Sequence, residues 1–135
     1  MAFDWIRYLH LLAAAVWTGG LLVLAFTVMA LRKAGAERPH LQAAARMFSR
    51  LSWTAMTVSI TTGIVQLLRF GPGATDPRTD LGQAILIKLV LVGTAVALAL
   101  GHQMTAATAS ARTRGIFQGL ILVVSLGIFA AAVNI

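Results

Sequence analysis

The sequence predicts an all-α membrane protein, a four-transmembrane-helix bundle with both termini on the same, periplasmic side of the bilayer. Three observations carry this expectation. Of the 135 residues, 59% are hydrophobic and only 11% are charged, which is far from the balance of a water-soluble domain. Four long stretches hold no formal charge or a single one: 8–31, 51–68, 81–111 with Lys88, and 115–135. Each is long enough to cross about 30 Å of hydrocarbon as a helix. The Lys and Arg residues collect in short segments between these stretches, which is where membrane topology places them.

The first helix is expected over about 5–31. A secretory leader would have a shorter apolar core and a small-residue cleavage site before a soluble domain, whereas three more apolar segments follow here, so the segment reads as a permanent span. Arg32, Lys33, Gly35, Glu37, Arg38 and Pro39 form the next turn, combining basic residues at a helix end with the two residue types that break helices. The second helix is expected over about 40–69, interfacial at its start, where Arg46 and Arg50 lie, and spanning in its body. Segment 70–80, rich in Gly, Pro and Asp, reads as the one sizeable loop. The third helix is expected over about 81–109, and Arg112 and Arg114 mark a tight turn into the fourth, about 115–135. The whole chain, 1–135, reads as a single domain.

Charge distribution sets the orientation. Arg7, Arg69 and Arg78 fall on the side of both termini, while Arg32, Lys33, Arg38, Arg46, Arg50, Arg112 and Arg114 fall on the other. The positive-inside rule puts the second set in the cytoplasm. For a bacterial inner-membrane protein, both termini and the 70–80 loop then face the periplasm. A net charge of +7 explained this way gives no ground for nucleic-acid binding. Without cysteine there is no disulfide or thiolate site, so a metal would be held by His, Met or oxygen groups.

The polar residues inside the spans are the functional candidates, because placing such groups in hydrocarbon is costly. His10 comes first, with Trp17 two turns further along the same helix face. His10 is open to two readings, an imidazole hydrogen-bonded to a neighbouring helix or a ligand or proton relay; Trp17 either packs between helices or walls a pocket. Lys88 falls at a similar depth, since both lie about 8–10 Å into helices running the same way. It either snorkels to water or belongs to a site. Thr62, Gln66 and Asn134 reach a similar level, so a polar cluster near the periplasmic face is expected. His102 shares the Lys88 face but lies roughly 21 Å deeper, beyond reach of a metal bound at His10. With Met104 and other soft or imidazole groups near the cytoplasmic end, His102 is a second candidate metal site. Ser49, Ser52, Met56, Ser59, Gly63 and Gln66 form a stripe of one helix face, which serves either helix packing or a path across the membrane. Gly115 and Gly119 read as a packing pair.

Taken in order, the run from Leu9 to Leu22 with His10, Trp17 and Gly19-Gly20, then Phe48-Ser49-Arg50-Leu51, then the run from Ile85 to Leu91 with Lys88, resembles the copper-resistance protein D (CopD) family. This resemblance implies an inner-membrane protein that binds or translocates copper, with the helix 1 histidine among its characteristic residues. Arg7, His10, Trp17, Arg46, Ala55-Met56, Gly63 and Lys88 are also similar to the pattern of HemJ-type four-helix membrane proteins. That resemblance implies haem b with His10 as an axial ligand, Trp17 accommodating the macrocycle, and Lys88 or Arg7 pairing with a propionate.

Three functions are therefore expected as alternatives: copper handling at His10, haem-dependent redox chemistry at the same residue, or a small accessory subunit of a larger membrane complex. Enzymatic activity is expected only under the haem alternative, as an oxidoreductase. A lipid bilayer is the one partner common to all three, and a homo-oligomer is compatible with each.

Overall fold

The structure, a computed structural model, describes residues 2–133. It has four helices and, among the described residues, no strand: α1 (Trp5–Lys33), α2 (Arg38–Phe70), α3 (Asp80–Thr105) and α4 (Ala111–Val133). All four are long and apolar enough to cross a membrane, so the chain is an all-α, four-span membrane protein. Few side chains are buried, and many large apolar ones are exposed, such as Phe26 and Val90, each 68% exposed. Such a surface is stable where hydrocarbon replaces water.

Internal packing divides the chain into two compact units, 1–69 and 70–135. In the first, α1 begins at Asp4, whose carboxylate accepts the Arg7 backbone N–H at 3.1 Å and so satisfies one of the unpaired donors of the first turn. The helix closes on Gly35 at φ 77°, with the Ala36 N–H reaching back to the Leu31 carbonyl at 2.9 Å. This is a closure that glycine accommodates because it has no Cβ. Starting at Arg38, α2 begins two residues earlier than the sequence predicts. Pro39 fits the first turn, where no backbone donor is needed, and the Glu37 carbonyl accepts from His40 and Leu41.

The pairing of α1 with α2 is antiparallel. Asp4 meets Arg69 at 3.2 Å at one end, and His10 meets Ser59 further in. Ala13, Trp17 and Thr18 of α1 and Ala55, Met56 and Thr62 of α2 are buried.

In the second unit, turns at 71–79 lead into α3. Gly71 has φ 86°, and the Thr79 hydroxyl accepts the Gly82 N–H at 3.0 Å as the helix cap. Arg78 clasps the Asp76 carboxylate through two nitrogens at 3.0 Å. The α3 helix ends at Thr105, four residues before the expected 109. Ser110 caps α4 instead, its hydroxyl accepting the Thr113 N–H at 3.2 Å, so α4 starts at Ala111 and takes in both arginines assigned to the turn. Antiparallel packing of α3 and α4 sets Gly101 against the Phe117 ring and Gly127 against Leu91. The expected end of the fourth helix and the role of Asn134 lie outside the described residues.

Candidate functional site

His10 stands on the inward seam of α1, one turn before Ala13 and two before Trp17, both buried. Its Nδ1 lies 2.8 Å from the Ser59 main-chain oxygen and 3.1 Å from the Thr62 hydroxyl oxygen. A carbonyl oxygen can only accept, so Nδ1 carries the proton and donates. In the neutral ring, Nε2 is then the nitrogen with an in-plane lone pair. The Thr62 hydroxyl donates to the Val58 carbonyl at 2.7 Å, which turns an oxygen lone pair toward the imidazole. Gln66 donates to the Thr62 carbonyl at 3.4 Å, extending the polar patch by one turn of α2.

Gly63 makes room for the ring. A Cβ there would stand 3.1 Å from His10 Cε1, tighter than ordinary van der Waals contact. Ser59, Thr62 and Gly63 therefore form a seat on α2 that accepts the imidazole by its Nδ1 edge. Two members of the stripe read from sequence, Ser59 and Gly63, are thus in contact with His10, and Ser59 serves through its backbone carbonyl.

At the mouth of the same unit, Asp4 holds Arg69. The Asp4 carboxyl is held below the usual aspartate range, chiefly by the Arg7 backbone N–H and further by the Arg69 charge. Arg7 is exposed at this end, one turn before His10. Sequence reading missed the Asp4–Arg69 pair; its signal was opposite charges at the adjoining ends of two antiparallel helices. Phe3, Trp5 and Tyr8 are exposed beside it and stack edge to face or tilted, with centroids 4.6–6.0 Å apart. Such an amphipathic aromatic group suits a membrane–water interface.

The remaining candidates fall in the second unit. Lys88 is half-buried on the α3 face that carries Ile85, Ala95, Ala99 and His102. His102 lies against Phe117 of α4, ring centroids 6.0 Å apart, and its Nδ1 is enclosed with no hydrogen-bond partner among the described residues. Met104 is 82% exposed and, two residues on, points away from His102, so these two are not brought onto one face. Among the described residues there is no cluster of three or more His, Cys, Asp or Glu side chains placed to hold a metal ion.

Compared with family models, curated proteins and solved structures, the chain matches none.

Proposed function

We propose that the protein is a multi-pass inner-membrane protein of copper handling, similar to the CopD family, whose ligand atom is Nε2 of His10. The observation that carries this reading is the hydrogen bond from His10 Nδ1 to the Ser59 carbonyl. Metal-bound histidines characteristically donate their second ring N–H to a carbonyl or carboxylate, which fixes the tautomer and raises the basicity of the ligating nitrogen. Copper is the cargo here. A single imidazole with weak methionine or water ligands suits an ion that must be released as well as captured. An even number of spans agrees with both termini lying on one side of the bilayer, and the basic residues of the α1–α2 turn support the periplasm as that side. His10 then lies near the outward face, suited to capture from the periplasm.

A second reading has its own support. A haem brings four ring nitrogens and asks the protein for one or two axial ligands, so an imidazole anchored through its Nδ1 fits haem b as well. In that case His10 would hold the iron, Trp17 would border the macrocycle, and Arg7 would pair with a propionate; the bound group would supply one-electron redox chemistry. A third role, as accessory subunit of a larger complex, requires no ligand.

A visible spectrum of the purified full chain, with metal analysis of the same sample, separates these readings. Stoichiometric copper without a Soret band, lost in His10→Ala while the variant remains helical and monodisperse, is the result expected. A Soret band lost in the same variant assigns haem instead. Neither copper nor haem in the wild type overturns both and leaves the accessory role.

A further inference from the structure

We propose that Arg46 and Arg50 of α2 form a clamp for the phosphate of an anionic phospholipid, in the leaflet that contains the α1–α2 turn. The argument begins with register. The Asp4–Arg69 and His10–Ser59 contacts fix how α1 lies against α2. The same antiparallel register carries Arg50 to the level of Gly19 to Val23, and Arg46 to that of Val23 to Thr27. Those α1 residues belong to the uncharged run 8–31, and Val23 and Phe26 are 56% and 68% exposed, facing lipid. The two arginines therefore stand where the neighbouring helix is still hydrocarbon-facing, several residues inside the Arg32, Lys33 and Arg38 that end the hairpin.

Helix length agrees. The 33 residues of α2 span about 50 Å against about 30 Å of hydrocarbon, and its uncharged body is only 51–68. Arg50 thus marks the edge of the spanning body.

Both side chains are exposed, and neither takes part in an ion pair among the described residues, where the pairs formed are Asp4–Arg69 and Asp76–Arg78. Spaced i and i+4 on one helix face, two like charges repel each other unless an anion lies between them. Side chains on a helix lean toward its N-terminus, which for α2 is the turn. Both guanidiniums are therefore directed from the hydrocarbon edge toward the headgroup layer. Two planar donor forks about 6 Å apart along the axis match the oxygens of one headgroup phosphate, or of two adjacent ones. A zwitterionic lipid offers the same phosphate with its charge cancelled by choline, so the clamp selects for net-anionic lipid.

The test is native mass spectrometry of the full chain in detergent, titrated with phosphatidylglycerol, with phosphatidylcholine of the same acyl chains, or with inorganic phosphate. The wild type should prefer phosphatidylglycerol by more than about thirtyfold, the scale that the charge of two basic residues alone sets near an anionic surface, with the paired donor forks adding to it. R46Q/R50Q should abolish that preference, R32Q/K33Q should leave most of it although it removes the same charge, and inorganic phosphate should not displace the lipid. The proposal fails if R46Q/R50Q keeps the preference, if R32Q/K33Q loses it equally, or if free phosphate competes as well as lipid does. Should R46Q/R50Q lose helicity, R46K/R50K serves instead: it retains charge but not the fork, and a preference equal to wild type sinks the clamp. The ligand of His10 does not enter, so His10→Ala should leave lipid preference unchanged.

Discussion

His10 of α1 donates its Nδ1 proton to the main-chain carbonyl of Ser59 on α2 across 2.8 Å, so one bond joins two spans and fixes the tautomer of the ring. Thr62 supplies the second acceptor at 3.1 Å. Replacing Thr62 with Val keeps the shape and the Ser59 bond while removing that acceptor. Stability should fall by about 0.5–1.5 kcal/mol, and, under the proposed ligation by His10, affinity for copper or haem by about tenfold. Thermal unfolding in detergent and equilibrium dialysis against the ligand would read the two separately; an unchanged affinity would remove Thr62 from the site.

Gly63 tests the seat by volume. A Cβ stands 3.1 Å from His10 Cε1, so Gly63→Ala must displace the ring by a few tenths of an ångström, and Gly63→Leu must expel it. The expected cost is about 1–3 kcal/mol for the larger residue, with ligand content falling in the order Gly, Ala, Leu. Equal ligand content in all three would mean that the imidazole does not ligate from this seat.

Gly82 makes the corresponding prediction in the second unit. A Cβ there would collide with the Asp76 backbone, and backbone cannot swing aside as a side chain can. Gly82→Ala should destabilise the 70–80 turn by more than Thr79→Ala, which removes the α3 cap at about 1 kcal/mol. Limited proteolysis within 70–80, compared between the two variants, gives the ranking, and a more protected Gly82→Ala loop would contradict it.

The carboxylates of Asp4 and Asp76 predict an acid limb. Asp4 and Asp76 are both held below the ordinary aspartate value of 3.8, Asp4 chiefly by the Arg7 N–H and Asp76 chiefly by the Arg78 side chain. A depressed folded-state value contributes stability that is present above the unfolded value and is lost as pH falls through the folded one. Thermal stability should therefore hold from neutral pH to about 4 and decline below it. Asp4→Asn and Asp76→Asn should each flatten part of that decline, and a decline unchanged in both variants would place its origin elsewhere. Being exposed, the Asp4–Arg69 pair should also weaken as salt is raised.

How much of this was legible in the sequence follows from which groups carry the information. Four spans, their order and their charged ends were readable because hydrocarbon admits long apolar helices and excludes most charge. His10 and Trp17 could be placed on one face because helical geometry is periodic, and Ser59 and Gly63 could be placed on a common stripe of α2 for the same reason. The boundaries near Thr105 and Ala111 were less legible, since a hydroxyl cap at Ser110 decided them and several small residues nearby could have served.

What only the tertiary structure decided is the pairing. Every residue has a carbonyl, so nothing in the letters marks Ser59 as the acceptor for His10; that required knowing the register of α1 against α2. The protonated nitrogen, the need for glycine at position 63, and the level at which Arg46 and Arg50 meet the apolar run of α1 all follow from that register. Composition and periodicity determine that a polar ring lies in a membrane helix and on which face, whereas an interhelical distance, set by packing between segments far apart in the chain, decides which of its nitrogens carries the proton.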